Sequence, residues 1–186
     1  MKKTLLTILC TVLVCSCVMG VTLAYLVDKT DPLINTFTIG NIQIELDEAD
    51  TLDLKMMPGK IIAKDPTVTV KAGSEACYLF VKIDESANLG TYIEYSVDTS
   101  KWTKLQDGVY YIRIADTTAS DTPYAVLAGN AVTVKTAVTQ AQLEAAQGEN
   151  APKLTFTAYA VQLMNGTVEF TAADAWTQAQ SAANGN

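Results

Sequence analysis

From residue 37 onward, apolar and polar positions alternate in short runs. Phe37, Ile39 and, past an irregularity at Gly40-Asn41, Ile42, Ile44 and Leu46 stand between polar Thr38, Gln43 and Glu45. That period of two predicts a half-buried strand with a bulge at Gly40. The Pro58-Gly59 pair predicts a turn, because proline fixes φ and glycine is free to take a positive one. Beyond it, Thr67–Lys71 alternates around Val68 and Val70. Residues 77–83 place Cys77, Leu79, Val81 and Ile83 on one face and Tyr78, Phe80 and Lys82 on the other. Two largely apolar faces predict a central strand. Further strands are expected over 92–97, 109–114, 131–138 and 154–163, with 92–97 leading through Lys101-Trp102 and the Asp107-Gly108 hairpin signal into 109–114. Helical patterning is limited to 139–147 and 171–183, the latter opening with Thr171 and Asp174 at capping-box spacing. About eight short strands with Gly, Pro and Asn punctuation imply an all-β domain over 37–183, as a sandwich, jelly roll or Greek key. The last residues, 184–186, read as an unstructured tail.

The N-terminus follows a different pattern. Lys2 and Lys3 precede an apolar run from Leu5 to Val18 and a small-residue exit, Thr22-Leu23-Ala24. This is the layout of a cleavable signal peptide over 1–24, with the cut between Ala24 and Tyr25. The run is shorter than the ~20 residues of a spanning helix, and charged Asp28, Lys29 and Asp31 follow it. An uncleaved anchor is the alternative. Val14-Cys15-Ser16-Cys17 loosely resembles a lipobox, but the chain stays apolar from Val18 to Leu23, where a lipoprotein turns polar.

Cleavage would leave 186 less 24, or 162 residues, enough for one domain with its own core. It would remove two of 13 basic residues and none of 20 acids, so the mature chain would carry 11 basic residues and a net charge of −9. Such a surface repels nucleic acid and anionic lipid, and confines any membrane contact to the uncleaved signal. Cys77 would be the sole remaining cysteine, without an intramolecular disulfide partner. Its strand face predicts a buried thiol.

Candidate chemistry is sparse. The chain has no histidine, which removes the commonest general base and every His-containing triad or zinc site. No phosphate-cradling loop appears, and the 20 acids form no recognisable glycosidase motif. The acidic run Glu45, Asp47, Glu48, Asp50 and Asp53 lacks the spacing of a calcium loop and reads as solvated. Asn165-Gly166-Thr167 matches a glycosylation sequon but reads first as a hairpin turn. Trp102 and Trp176 could be carbohydrate platforms or core residues. No cofactor, metal site or catalytic residue is expected.

Several segments, in order, resemble the Firmicutes exported proteins cut by the SipW-type signal peptidase, including the TasA and camelysin (CalY) biofilm-matrix proteins. They are Thr22-Leu23-Ala24-Tyr25-Leu26-Val27-Asp28, Asn35-Thr36-Phe37-Thr38-Ile39-Gly40-Asn41-Ile42, Pro58-Gly59-Lys60 with Lys64-Asp65-Pro66, and Ala158-Tyr159-Ala160-Val161-Gln162 with Ala175-Trp176. Residues 85–150 carry no such motif. The resemblance implies a secreted, jelly-roll-like sandwich that assembles into extracellular fibres at the cell surface or in a biofilm matrix. Its implied partners are a SipW-type peptidase, further copies of itself and other matrix proteins. The segment freed by cleavage would complete the sheet of the next subunit. In this sequence that arm spans 25–36 and offers Tyr25, Leu26, Val27, Leu33 and Ile34 for burial. The metalloprotease activity attributed to camelysin-type relatives is not carried over to a chain without histidine, and a non-enzymatic protein is expected. A monomeric cell-surface module binding carbohydrate or host protein is the alternative function.

The cleavage reading has a direct test: N-terminal sequencing of the exported protein should begin at Tyr25.

Overall fold

The computed structural model describes residues 41–48 and 55–184. The expected signal peptide, its cleavage site, the arm over 25–36, the strand segment and bulge over 37–40, Asp50 and Asp53 lie outside the described residues.

Antiparallel strands dominate, with few short helices, so the protein is all-β. β1 (Ile44–Asp47), β3 (Thr67–Val70) and β8 (Thr122–Ala125) form one sheet in that order. β2 (Ile61–Ala63), β9 (Ala131–Val134) and β5 (Ile93–Glu94) form a second. These two sheets are nearly continuous. Val126 N–H donates to Pro66 O at 2.9 Å and Lys64 N–H donates to Asn130 O at 2.9 Å, carrying the β3–β8 ladder across to β2–β9. Proline, which has no N–H, interrupts one side. Gly129 and Asn130, at φ 69° and 50°, bend the other.

The largest sheet orders β10 (Leu154–Gln162), β4 (Cys77–Glu85), β7 (Val109–Ile114) and β6 (Thr103–Gln106). β4 is central, as its two apolar faces predict, and Cys77 to Val81 are all buried. Its inward residues Leu79, Val81 and Ile83 share a core with Val68, Val70, Val126, Val134 and Trp102. Its outward residues Tyr78 and Phe80 lie in a second cluster with Val109, Leu163, Ala175 and Trp176. The second cluster exists because a helix covers the outer face. That helix, α3 (Ala172–Asn184), follows α1 (Leu89–Tyr92) and α2 (Gln140–Ala145) in the chain.

Several expectations shift. Residues 92–97 do not continue toward 109–114. Tyr92 ends α1, β5 pairs with β9, and Val97 bridges Leu127. The Asp107-Gly108 turn instead joins β6 to β7, with a bulge between Lys104 and Gln106. The strand expected over 131–138 stops at Val134, where Lys135 N–H donates to Tyr92 O and a turn follows. Glu45 and Asp47 belong to β1 rather than to a loop, Glu45 pairing with Lys71 and neighbouring Glu48 with Lys64. β8 contains Pro123, which counts against a strand, and it sits at the end of its three-stranded sheet. α2 is shorter than 139–147, opening on a Thr139–Gln142 capping box. At α3, Thr171 Oγ1 accepts from Asp174 N–H at 3.2 Å, and its hydroxyl donates to the Asp174 carboxylate at 2.7 Å.

Gly108 is the one turn position with no room for a side chain. Its φ is +71°, and a Cβ there would lie 2.8 Å from Ile83 O. Gly73, at φ +82°, would meet nothing within 4 Å. Gly73→Ala should therefore cost ~1 kcal/mol, the usual left-handed penalty. Gly108→Ala should cost ~2 kcal/mol or more, because a backbone carbonyl must also move. Urea midpoints at unchanged m-value check the difference.

Candidate functional site

Two strands end their sheets on the same side of the molecule. Among the described strands, β10 has β4 on one flank and none on the other, and β1 has only β3. β1 and β10 are neighbours in space. Among the described residues, no backbone hydrogen bond joins them. Among the described residues the result is an open seam between two sheet edges whose outward N–H and C=O groups have no ladder partner, which is the condition for pairing with a further strand.

The seam is hollow because of what β10 puts into it. Its inward residues run from Leu154 and Phe156 to Ala158 and Ala160, so side-chain volume falls along the strand. At the alanine end lies a hollow of about 560 Å³, walled by Ile44, Ala158, Ala160, Phe170, Ala179 and Ala182 among others. No charged residue among the described ones lines it. A smaller hollow of about 280 Å³ lies at the other end, beside Leu46, Asp47, Glu48, Leu154 and Phe156.

One bank of the larger hollow is α3, and three devices hold that helix. Trp176 packs on Phe80 and Tyr159, with ring centroids 5.3 Å apart in both pairs. The hairpin of β11 (Met164–Asn165) and β12 (Val168–Glu169) precedes it and is tied to β7 by a two-pronged Arg113–Glu169 pair at 2.6 and 2.7 Å. Glu169 also accepts from Tyr78 Oη at 3.3 Å, and Phe170 O accepts from the same hydroxyl at 3.1 Å. The Arg113 guanidinium holds the Glu169 carboxyl below its usual range, while burial pushes the Tyr78 phenol up.

The residues singled out by sequence fall as follows. The cleavage pair Ala24 and Tyr25 and the arm residues Tyr25, Leu26, Val27, Leu33 and Ile34 lie outside the described residues. Cys77 is a free, fully buried thiol, pushed up to about 11 by burial. Trp102 is 1% exposed and donates from Nε1 to Ala125 O at 2.8 Å, so it is a core residue. Trp176 is 4% exposed, and its Nε1 has no hydrogen-bond partner. Neither ring is a surface platform. The Asn165-Gly166 segment is a hairpin, with Gly166 and Thr167 as its loop and Gly166 at φ +63°. No group of three or more His, Cys, Asp or Glu residues is placed to hold a metal among the described residues. No described helix is long and apolar enough to cross a membrane.

Sequence reasoning missed the alanines. Ala158 and Ala160 alternate as strand residues should, but their small size signals a hollow only once the strand is known to lie at an edge. No family model, curated protein or solved structure matches the chain.

The Cys77 environment yields a pH prediction. Its ordinary pKa of 9.0 is raised in the fold, so the fold favours the neutral thiol. That contribution is fully present below pH 9 and is lost as pH rises through about 11. Stability should fall in this window with a limiting slope of ~1.4 kcal/mol per pH unit from this one group. Cys77→Ala should remove that component from alkaline denaturation curves, and the wild-type thiol should react with a disulfide reagent only after unfolding.

Proposed function

We propose that the protein is a secreted structural subunit of extracellular fibres, in which the arm over 25–36 of one copy enters the seam of the next as an added strand. The observation that carries this reading is the pair of unpaired edges, β1 and β10, facing an uncharged hollow whose inner wall is built from alanines. Main-chain groups on the β10 edge would bond the incoming strand, and the missing side-chain volume would accept its large residues. The arm supplies that volume in Tyr25, Leu26, Val27, Leu33 and Ile34. Donor and acceptor are different surfaces, so the contact is heterologous and propagates as an open filament. Signal-peptidase cleavage would free the arm and start assembly at the cell surface or in a biofilm matrix.

The strand order supports a jelly-roll-like sandwich for this subunit. β6 with β7, β5 with β9 and β4 with β10 are nested antiparallel pairs, the succession made by rolling up one long hairpin. The order of the segments around Ala24-Tyr25, Asn35–Ile42 and Ala158–Gln162 supports membership of the SipW-dependent TasA and camelysin group. No cofactor or catalytic role is part of this reading.

Protein beginning at Tyr25 should form filaments in electron micrographs, and protein beginning at Phe37 should elute as a monomer. A synthetic peptide of residues 25–36 should raise the melting temperature of the shorter form. Ala160→Leu, which fills the hollow, should cut that rise at least fivefold while leaving the shorter form folded. Monomers from both lengths, with no response to the peptide, would overturn the reading.

A further inference from the structure

A further cavity, of about 500 Å³, lies away from the hollow beside Ala158 and Ala160, on the inner side of the β2–β9–β5 sheet. Its floor is apolar, formed by Ile62, Leu89, Ile93, Val132 and Leu154, and its size falls within the range of small-molecule sites. Among the described residues only two charged side chains line it, Lys64 and Lys153, both cationic, on a chain whose net charge is −7. Among the described residues no carboxylate lines it. The two ammonium groups differ. Lys64 is engaged by Glu48 and lies 5.6 Å from the centre of the Phe156 ring. Lys153 is exposed and has no carboxylate partner among the described residues.

We infer that this cavity binds a small amphiphile with one anionic head and a flexible apolar tail, of which a medium-chain fatty carboxylate is the simplest. The tail would displace water from the floor made by Ile62, Ile93 and Val132, which supplies the affinity. The head would sit at the mouth beside Lys153, which supplies the preference for an anion. A neutral amphiphile would gain the first and not the second, and a cationic one would be repelled. The site lies apart from the larger hollow beside Ala158 and Ala160, although it shares Leu154 and Thr155 with the seam's smaller hollow, so it is read on the form beginning at Phe37, without fibre assembly.

The test is titration calorimetry of purified protein with decanoate below its micelle concentration, beside decanol, decyltrimethylammonium and butyrate. Saturable one-to-one binding of decanoate is expected, at least tenfold tighter than decanol and with no measurable binding of the other two. Lys153→Glu should weaken decanoate about tenfold and leave decanol unchanged, since Lys153 is exposed and its replacement leaves the core intact. Thr155→Trp, an exposed position at the cavity wall, should block both ligands without lowering the melting temperature. Equal affinity for decanoate and decanol, or insensitivity to Lys153→Glu, would overturn the inference by reducing the site to bare apolar contact. Binding to phosphatidylglycerol vesicles without binding of free decanoate would assign the lysines to a membrane surface and overturn it.

Discussion

A strand that is apolar on both faces has to be covered twice, and β4 sets that condition for the whole domain. Leu79, Val81 and Ile83 require an opposing layer, which β2, β3, β5, β8 and β9 supply from the two smaller sheets. Tyr78 and Phe80 on the reverse face require another cover, which α3 provides together with Leu163 and Phe170. The C-terminal helix is therefore part of the core. Each fully buried large side chain contributes on the order of 1.5–3 kcal/mol, so the second cluster is a substantial share of the stability. Trp176 is buried in it at a cost, since its N–H has no hydrogen-bond partner among the described residues.

Covering β4 in this way fixes what remains uncovered. β10 lies against β4 on one side, under α3 on its outer face and over the core on its inner face. Only its hydrogen-bonding edge is left, next to the edge of β1. Native proteins rarely leave a nine-residue edge strand without charge, proline or a bulge to block it. Ala158 and Ala160 carry none of these, and α3 contributes Ala179 and Ala182 to the same hollow. The physics of the domain and the reading of the seam as a place for an added strand thus share one origin. The cationic cavity on the β2–β9–β5 side has a different one, arising where the two layers part near the start of β10.

Period-two alternation located β3, β4, β7 and β10 because each buries one or both faces along several residues. It placed Cys77 in the interior for the same reason, and the Gly108 and Gly166 turns because positive φ selects glycine. Short elements were harder to read. β8 contains a proline and repeats no recognisable pattern, and of the strand expected over 92–97 only the two residues of β5 form a ladder, with Val97 in an isolated bridge. The pairing of β6 rather than residues 92–97 with β7 was likewise hidden, since alternation gives a strand's faces but not its neighbour.

The sequence by itself determined the all-β class, the central position of residues 77–83, the two helix-forming stretches and the lack of any histidine-based chemistry. Those properties follow from local periodicity, intrinsic propensity and composition. Only the tertiary structure decided which strands end their sheets, that Trp176 caps the outer face of β4, and that Lys64 and Lys153 line one cavity with an apolar floor. Edges, hollows and charge pairs arise from which segments become neighbours, and residues far apart in the chain acquire those relations only on packing.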